Sequence, residues 1–146
     1  MADQIKITLP DSAHRHECRV IYGDTDSGGV VYYGNYLRFF EEGRTEYLRE
    51  HKVTYRTLEE EGFILPVVEC YSRYKSPARY DDLIVVRTAL TEVKKISCRF
   101  NYRIERKEDN QLLVKGCTVH AVINREGRLT RLPDYVFEIL TELAAG

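Results

Sequence analysis

The sequence predicts an α+β domain in which one long central helix lies against one antiparallel sheet of about five strands. Three observations predict it. Only one stretch, from Val30 to about His51, carries a sustained apolar stripe at helical spacing. Five other stretches read as strands: His14 to Tyr22, Ile96 to Ile104 and Leu113 to Ile123 place alternate residues on one face, Leu83 to Thr91 is β-branched and apolar, and Val67 to Lys75 is a further candidate. The connections between the later strands are too short to hold crossover helices, so consecutive strands pair antiparallel. The 146 residues amount to one domain, taken as residues 1–146, and are enough to bury a core without staples.

His14 to Tyr22 predicts the first strand, because His16, Cys18, Val20 and Tyr22 alternate with Glu17, Arg19 and Ile21. Glycines and small polar residues crowd Gly23 to Gly29, which predicts a loop. In the helix that follows, Tyr36, Tyr47, Phe40, Leu37 and Leu48 fall within an arc of about 120°, with Gly43 beside them. Arg38, Glu42, Thr45 and Arg49 take the opposite side. A glycine inside a helix costs about 1 kcal/mol against alanine, so Gly43 predicts close approach of another backbone. Arg44 stands in the middle of the apolar arc, and a buried cation needs a partner. Glu41, three residues earlier, is in reach. The pair either satisfies only itself or borders a polar pocket, and the first reading is favoured.

Arg56 to Glu61 predicts a short helical segment ended by Gly62. Strands follow at Val67 to Lys75, Leu83 to Thr91, Ile96 to Ile104 and Leu113 to Ile123, separated by turns at 76–82, 92–95 and 108–110. Pro133 at the first helical position opens a last helix over Asp134 to Leu143. A sheet that covers one helix leaves its edges open, which predicts pairing through an edge strand.

Composition excludes several classes. Lys plus Arg is 22 and Asp plus Glu is 23, a net charge of −1, which leaves no footprint for nucleic acid and no polybasic membrane tail. No apolar run reaches the 18 or so residues of a membrane helix. Met1 to Gln4 lacks the basic and apolar regions of a signal peptide. Cys18, Cys70, Cys98 and Cys117 form no CxxC pair, fit a reducing cytosol, and read as small apolar core residues. The four histidines are scattered. His14 and His16 share a strand face without a third ligand in view, so no metal site is expected. The eleven tyrosines beside no tryptophan have no explanation at this level.

The loop Asp24 to Gly29 ends where the helix begins. A helix start presents unpaired N–H groups and partial positive charge, which stabilise an oxygen gaining negative charge. Asp26 stands beside that point as a base or nucleophile, and Gly28 and Gly29 clear the approach. Acidic and small residues before a helix also serve as plain caps and turns, so both readings stay open. Lys94-Lys95, and Arg125 with Arg128 and Arg131, are basic clusters at predicted turns, able to hold phosphates or simply solvated.

The stretch Tyr22-Gly23-Asp24-Thr25-Asp26-Ser27-Gly28-Gly29-Val30-Val31-Tyr32-Tyr33-Gly34-Asn35-Tyr36, followed by Glu41 and Arg44-Thr45-Glu46, resembles the opening motif of hotdog-fold acyl-CoA thioesterases. The group is that of 4-hydroxybenzoyl-CoA thioesterase and the YbgC type. Ser76-Pro77-Ala78-Arg79-Tyr80-Asp81-Asp82 resembles that group's inter-strand segment. The likeness runs over about residues 14 to 143 and implies the hotdog fold, with the antiparallel sheet wrapped around the central helix. It implies a cytoplasmic enzyme that hydrolyses a small aliphatic or aromatic acyl-CoA to the free acid and CoA, with no cofactor. It implies Asp26 as catalytic carboxylate and the Tyr33 backbone N–H as oxyanion donor. Many YbgC-type members have His where this chain has Tyr33, whereas the hydroxybenzoyl type has Tyr. Gly28 and Gly29 would shape the approach, Tyr36 and Phe40 border the acyl pocket, and Lys94, Lys95 and Arg125 meet the CoA phosphates. Homodimers, often paired into homotetramers with sites at the subunit interface, are implied, and acyl carrier protein is a further expected partner. The alternative is a non-catalytic acyl-CoA or acyl-carrier-protein binding module on the same fold. A dehydratase ranks lower, since no His follows Asp26 before His51.

Overall fold

The structure is a computed structural model that describes residues 5–146, so the expectation about Met1 to Gln4 lies outside the described residues. In chain order the elements are β1 (His14–Arg19), α1 (Tyr36–Glu50), α2 (Tyr55–Glu60), β2 (Val67–Tyr74), β3 (Leu83–Val93), β4 (Ser97–Arg106), β5 (Leu112–Ala121) and α3 (Asp134–Ala145). The strands form one sheet in the order β1-β3-β4-β5-β2, with every pair antiparallel. Strands β3, β4 and β5 are a meander, as the short turns require. β1 and β2 close the two edges, and α1 carries the chain between them across the inner face, touching β1, β3 and β4.

Packing on the inner face explains the helix. Tyr36, Phe39, Phe40, Gly43, Tyr47 and Leu48 are its buried residues. Phe40 stacks on Tyr102 of β4, with ring centroids 4.3 Å apart. A Cβ on Gly43 would lie 2.6 Å from Thr88 and Val86, so β3 side chains make the expected close approach, not backbone. Gly116 of β5 does the same from the sheet: a Cβ there would lie 2.6 Å from the Phe40 ring and 2.5 Å from the Tyr71 carbonyl.

Several boundaries differ from the expectation. The apolar arc turns toward Phe39, which is fully buried, while Leu37 is exposed. α1 begins at Tyr36 rather than Val30, because Val30 and Val31 are held extended by bridges to Arg79 and Thr25, and one 3₁₀ turn, Tyr33–Asn35, intervenes. β1 ends at Arg19, since the chain turns at Tyr22–Asp24 with the Asp24 carboxylate accepting the Ile21 N–H at 3.0 Å. Pro133 precedes α3 instead of opening it. Cys98 and Cys117 are buried as expected, but Cys18 is half-buried and Cys70 is exposed, because β2 is an edge strand.

Candidate active site

The loop between β1 and α1 folds back on itself. Thr25 bridges Val31, the Asp26 N–H donates to the Val30 carbonyl at 2.8 Å, and the Gly29 N–H donates to the Asp26 carbonyl at 3.0 Å. The Gly28 N–H donates to Asp26 Oδ1 at 2.8 Å, which orients the carboxylate and leaves Oδ2 without a partner among the described residues. The two glycines answer different needs. A Cβ on Gly28 would sit 3.2 Å from that carboxylate oxygen, whereas Gly29 has open space but φ of +79°, a left-handed backbone that L side chains resist.

Asp24 does a different job from Asp26, a distinction the D-x-D pattern does not reveal. Asp24 is buried and accepts from Arg38 on the first turns of α1 as well as from the Ile21 N–H. Its carbonyl accepts the Tyr32 N–H and the Asn35 side-chain amide, both at 2.9 Å. Asp24 therefore fastens the loop to the helix. Asp26, exposed one step further on, keeps its free oxygen.

Tyr33 opens the helical segment, so its N–H has no intrahelical acceptor, and none is found among the described residues. The Tyr33 side chain, Tyr36, Tyr74, Lys75 and Val31 line a groove of about 300 Å³. Tyr36 is anchored there by accepting the Ala78 N–H at 3.0 Å, and burial raises its phenol pKa. Six of the eleven tyrosines gather on or beside the loop. Tyr22 stacks on Tyr80 at 3.8 Å, Tyr32 meets Tyr33, and Tyr74 meets both Tyr33 and Tyr36. That cluster accounts for much of the odd composition.

Other expected site residues lie elsewhere. Phe40 does not line the groove and is packed in the core on Tyr102. Lys94 pairs with Glu92 at 3.0 Å, Lys95 lines a separate pocket with Arg131, and Arg125 donates to the Glu59 and Glu60 carbonyls. None of the three borders the tyrosine-lined groove.

The Arg44–Glu41 pair does not form. Glu41 is exposed, and Arg44 instead donates to the Tyr102 hydroxyl at 3.4 Å, leaving its Nε buried without a partner. Tyr102 begins a buried chain with a fixed direction. His120 Nδ1 lies 3.0 Å from the Leu65 carbonyl, which only accepts, so that nitrogen carries the proton. Nε2 then accepts from Thr118 at 2.8 Å, and Thr118 accepts from Tyr102 at 2.6 Å. Burial pushes His120 down to about 4 and Tyr102 up to about 12, so both stay neutral.

One trio among the described residues brings metal-type donors together: His16, Cys18 and Glu42, with ligand atoms within 4.8 Å of one another. Glu42 already takes His16 at 3.3 Å and Arg38 at 2.8 Å, and burial pushes the Cys18 thiol up to about 12. The trio ties β1 to α1 through Asp24–Arg38–Glu42–His16 rather than offering a ready metal site.

Comparison with known proteins agrees with this architecture. The model of the thioesterase-like superfamily matches residues 20–140. The acyl-CoA thioesterase YbgC of Haemophilus influenzae is 43% identical over 110 residues, which is 75% of this chain and 79% of that protein. The solved 1,4-dihydroxy-2-naphthoyl-CoA thioesterase from Synechocystis superposes with a TM-score of 0.81 at 26% identity, covering 88% of this chain and 96% of that one. The DHNA-CoA thioesterase from Staphylococcus aureus does so with a TM-score of 0.84 at 26% identity, covering 90% of each. The match to the superfamily model over most of its length, together with the wrapped helix and its loop, places the chain in the thioesterase-like superfamily, as a thioester hydrolase of the hotdog fold.

Proposed function

We propose that the chain, acting as a single thioesterase domain, hydrolyses a small aliphatic or aromatic acyl-CoA to the free acid and CoA. The observation that carries this reading is the junction of loop and helix. An oriented carboxylate with one free oxygen, Asp26, precedes an unpaired main-chain donor, the Tyr33 N–H, beside an apolar groove.

The thioester carbonyl oxygen accepts from the Tyr33 N–H, which is worth about 3 kcal/mol for a well-aimed oxyanion donor. Asp26 takes a proton from the attacking water; the C–O bond forms, the C–S bond breaks, and the proton passes to the departing CoA thiolate. If Asp26 attacks directly, an acyl-aspartyl anhydride forms and water cleaves it in a second step. Label from ¹⁸O-water entering Asp26 in a single turnover marks the second route. The tyrosine cluster around the groove suits an aromatic or short acyl group.

Asp26 is exposed in the single chain, and β2 presents exposed Val67 and Val68 on an open edge. Both features support a homodimer in which edge pairing covers the site. The four free cysteines suit a reducing cytosol. Thiol release from a panel of short, long and aromatic acyl-CoAs, with an acylated carrier protein alongside, tests the reading. Turnover of at least one thioester is expected. Tight binding of every panel member without turnover would instead favour the binding module.

A further inference from the structure

The strand and the helix that flank the loop of Asp26 meet at three donor groups. β1 alternates half-buried and exposed residues, which turns His14, His16 and Cys18 toward α1. His14 is taken by Glu50 at 3.2 Å. His16 Nε2, Cys18 Sγ and a carboxylate oxygen of Glu42 lie within 4.8 Å of one another. The strand alone offers no third ligand; Glu42 arrives from the helix packed on it.

Spacing and chemistry select the guest. At metal distances of about 2.0–2.2 Å, a tetrahedral zinc ion sets its nitrogen and oxygen ligands about 3.4 Å apart. His16 Nε2 and Glu42 Oε1 already stand 3.3 Å apart. A thiolate about 2.3 Å from the metal sits about 3.6 Å from each of the others, so Cys18 Sγ needs to move by roughly 1 Å or less. Glu42 is oriented from behind. Its Oε2 accepts from Arg38 at 2.8 Å, and Arg38 is anchored in turn on the buried Asp24. Partners of this kind fix a ligating carboxylate in place. The side chains of His16 and Glu42 are 23% and 36% exposed, which gives an ion a path from solvent.

We propose that His16, Cys18 and Glu42 bind a zinc ion, which clamps β1 to α1 at the base of the loop that carries Asp26. The site is made by insertion: the ion enters between His16 and Glu42 and replaces the contact that joins them. Cys18 binds as the thiolate and its proton leaves to solvent, while the neutral His16 imidazole keeps its one proton on Nδ1. Three protein ligands leave the fourth position to water. A mixed nitrogen, oxygen and sulfur set selects against magnesium and calcium, which take oxygen ligands. Cys18 precedes the loop and Glu42 follows it, so the ion ties the two ends of the loop together.

Cobalt(II) reports such a site directly, since a bound thiolate gives a charge-transfer band in the near ultraviolet and a tetrahedral site gives strong visible bands. Titration of the full chain, freed of metal and kept reduced, is expected to give both bands at one ion per chain, and zinc should displace them. Zinc at about a hundred times its dissociation constant should raise the melting temperature by about 5 °C or more, while magnesium leaves it unchanged. Cys18→Ser should abolish the charge-transfer band, and His16→Gln should weaken zinc binding about tenfold or more. Cys70→Ser removes the exposed thiol and should keep every signal. No band in wild type, a band that survives Cys18→Ser, or a zinc affinity unchanged by His16→Gln would overturn the proposal. None of these readouts uses turnover, so failure of the metal site and failure of the thioesterase reading are told apart.

Discussion

At the scale of single residues, the proposed mechanism divides its labour between side chain and main chain. The oxyanion donor proposed here is the Tyr33 N–H, so Tyr33→Phe should keep nearly full activity. At a position that opens a helical turn, where proline is tolerated, Tyr33→Ala removes the ring that packs on Tyr32 and Tyr74 and serves as control for Tyr33→Pro, which removes the ring and that donor together. The kcat of Tyr33→Pro should fall about 10²–10³-fold below that of Tyr33→Ala, with the melting temperature little changed between them. Gly29 is needed for its backbone and not for space, so Gly29→Ala should cost about 1–2 kcal/mol in denaturant titration. His120 carries a pH signature. The unfolded chain takes up a proton at this residue near pH 6.5, whereas the folded protein resists it down to about 4. The stability tied to His120 is therefore complete above pH 6.5 and is lost as pH falls toward 4, by about 3 kcal/mol in all. His120→Gln should flatten that part of the stability profile relative to wild type. The loop that carries Asp26 and the glycine pair was legible from its residues, whereas the catalytic part proposed for Asp26 came from the family resemblance and not from spacing. The separate role of Asp24 was not, because burial distinguishes two aspartates that composition makes equal. The partner of Arg44 was not legible either, since Tyr102 comes from a strand 58 residues away.

At the scale of elements, the junction between loop and α1 is the part that must hold still. Asp24 is buried and Arg38 reaches it from the helix, so Arg38→Ala leaves a buried carboxylate with one fewer donor. A cost of about 1–3 kcal/mol is expected, with kcat reduced more than KM because Asp26 and the Tyr33 N–H lose their fixed relation. Stopped-flow single turnovers on this variant separate the two parameters. The strands were legible within a few residues from runs of β-branched and aromatic residues bounded by turns, and in the edge strand β1 from period-two alternation, which the other edge, β2, lacks. The start of α1 was displaced because Val30 and Val31 continue the apolar stripe on paper. In the structure they are tied as extended bridges to Thr25 and Arg79. Tertiary pairing decided that boundary, and the second strand of each bridge is invisible to a local pattern.

At the scale of the whole molecule, the sheet order β1-β3-β4-β5-β2 follows from a meander plus one helix that carries the chain from edge to edge. The antiparallel pairing was legible from connection lengths and the helix from its apolar stripe, while the wrapping of the sheet came from the family resemblance. The placement of β2 beside β5 was not, because nothing in the intervening turns specifies which edge receives it. The meeting of His16 and Cys18 with Glu42 was hidden too, because the third donor arrives only where α1 packs on β1. If edge pairing through β2 builds the dimer, Val68→Lys should shift sedimentation from dimer to monomer and lower activity together. The account turns on the carboxylate of Asp26. The most direct measurement is free-thiol release from the best acyl-CoA of the panel by wild type and by Asp26→Asn, with folding of both checked by thermal melting. The account predicts a loss of about 10²-fold or more at unchanged stability. An Asp26→Asn enzyme as fast as wild type would contradict it and move the catalytic group to another residue.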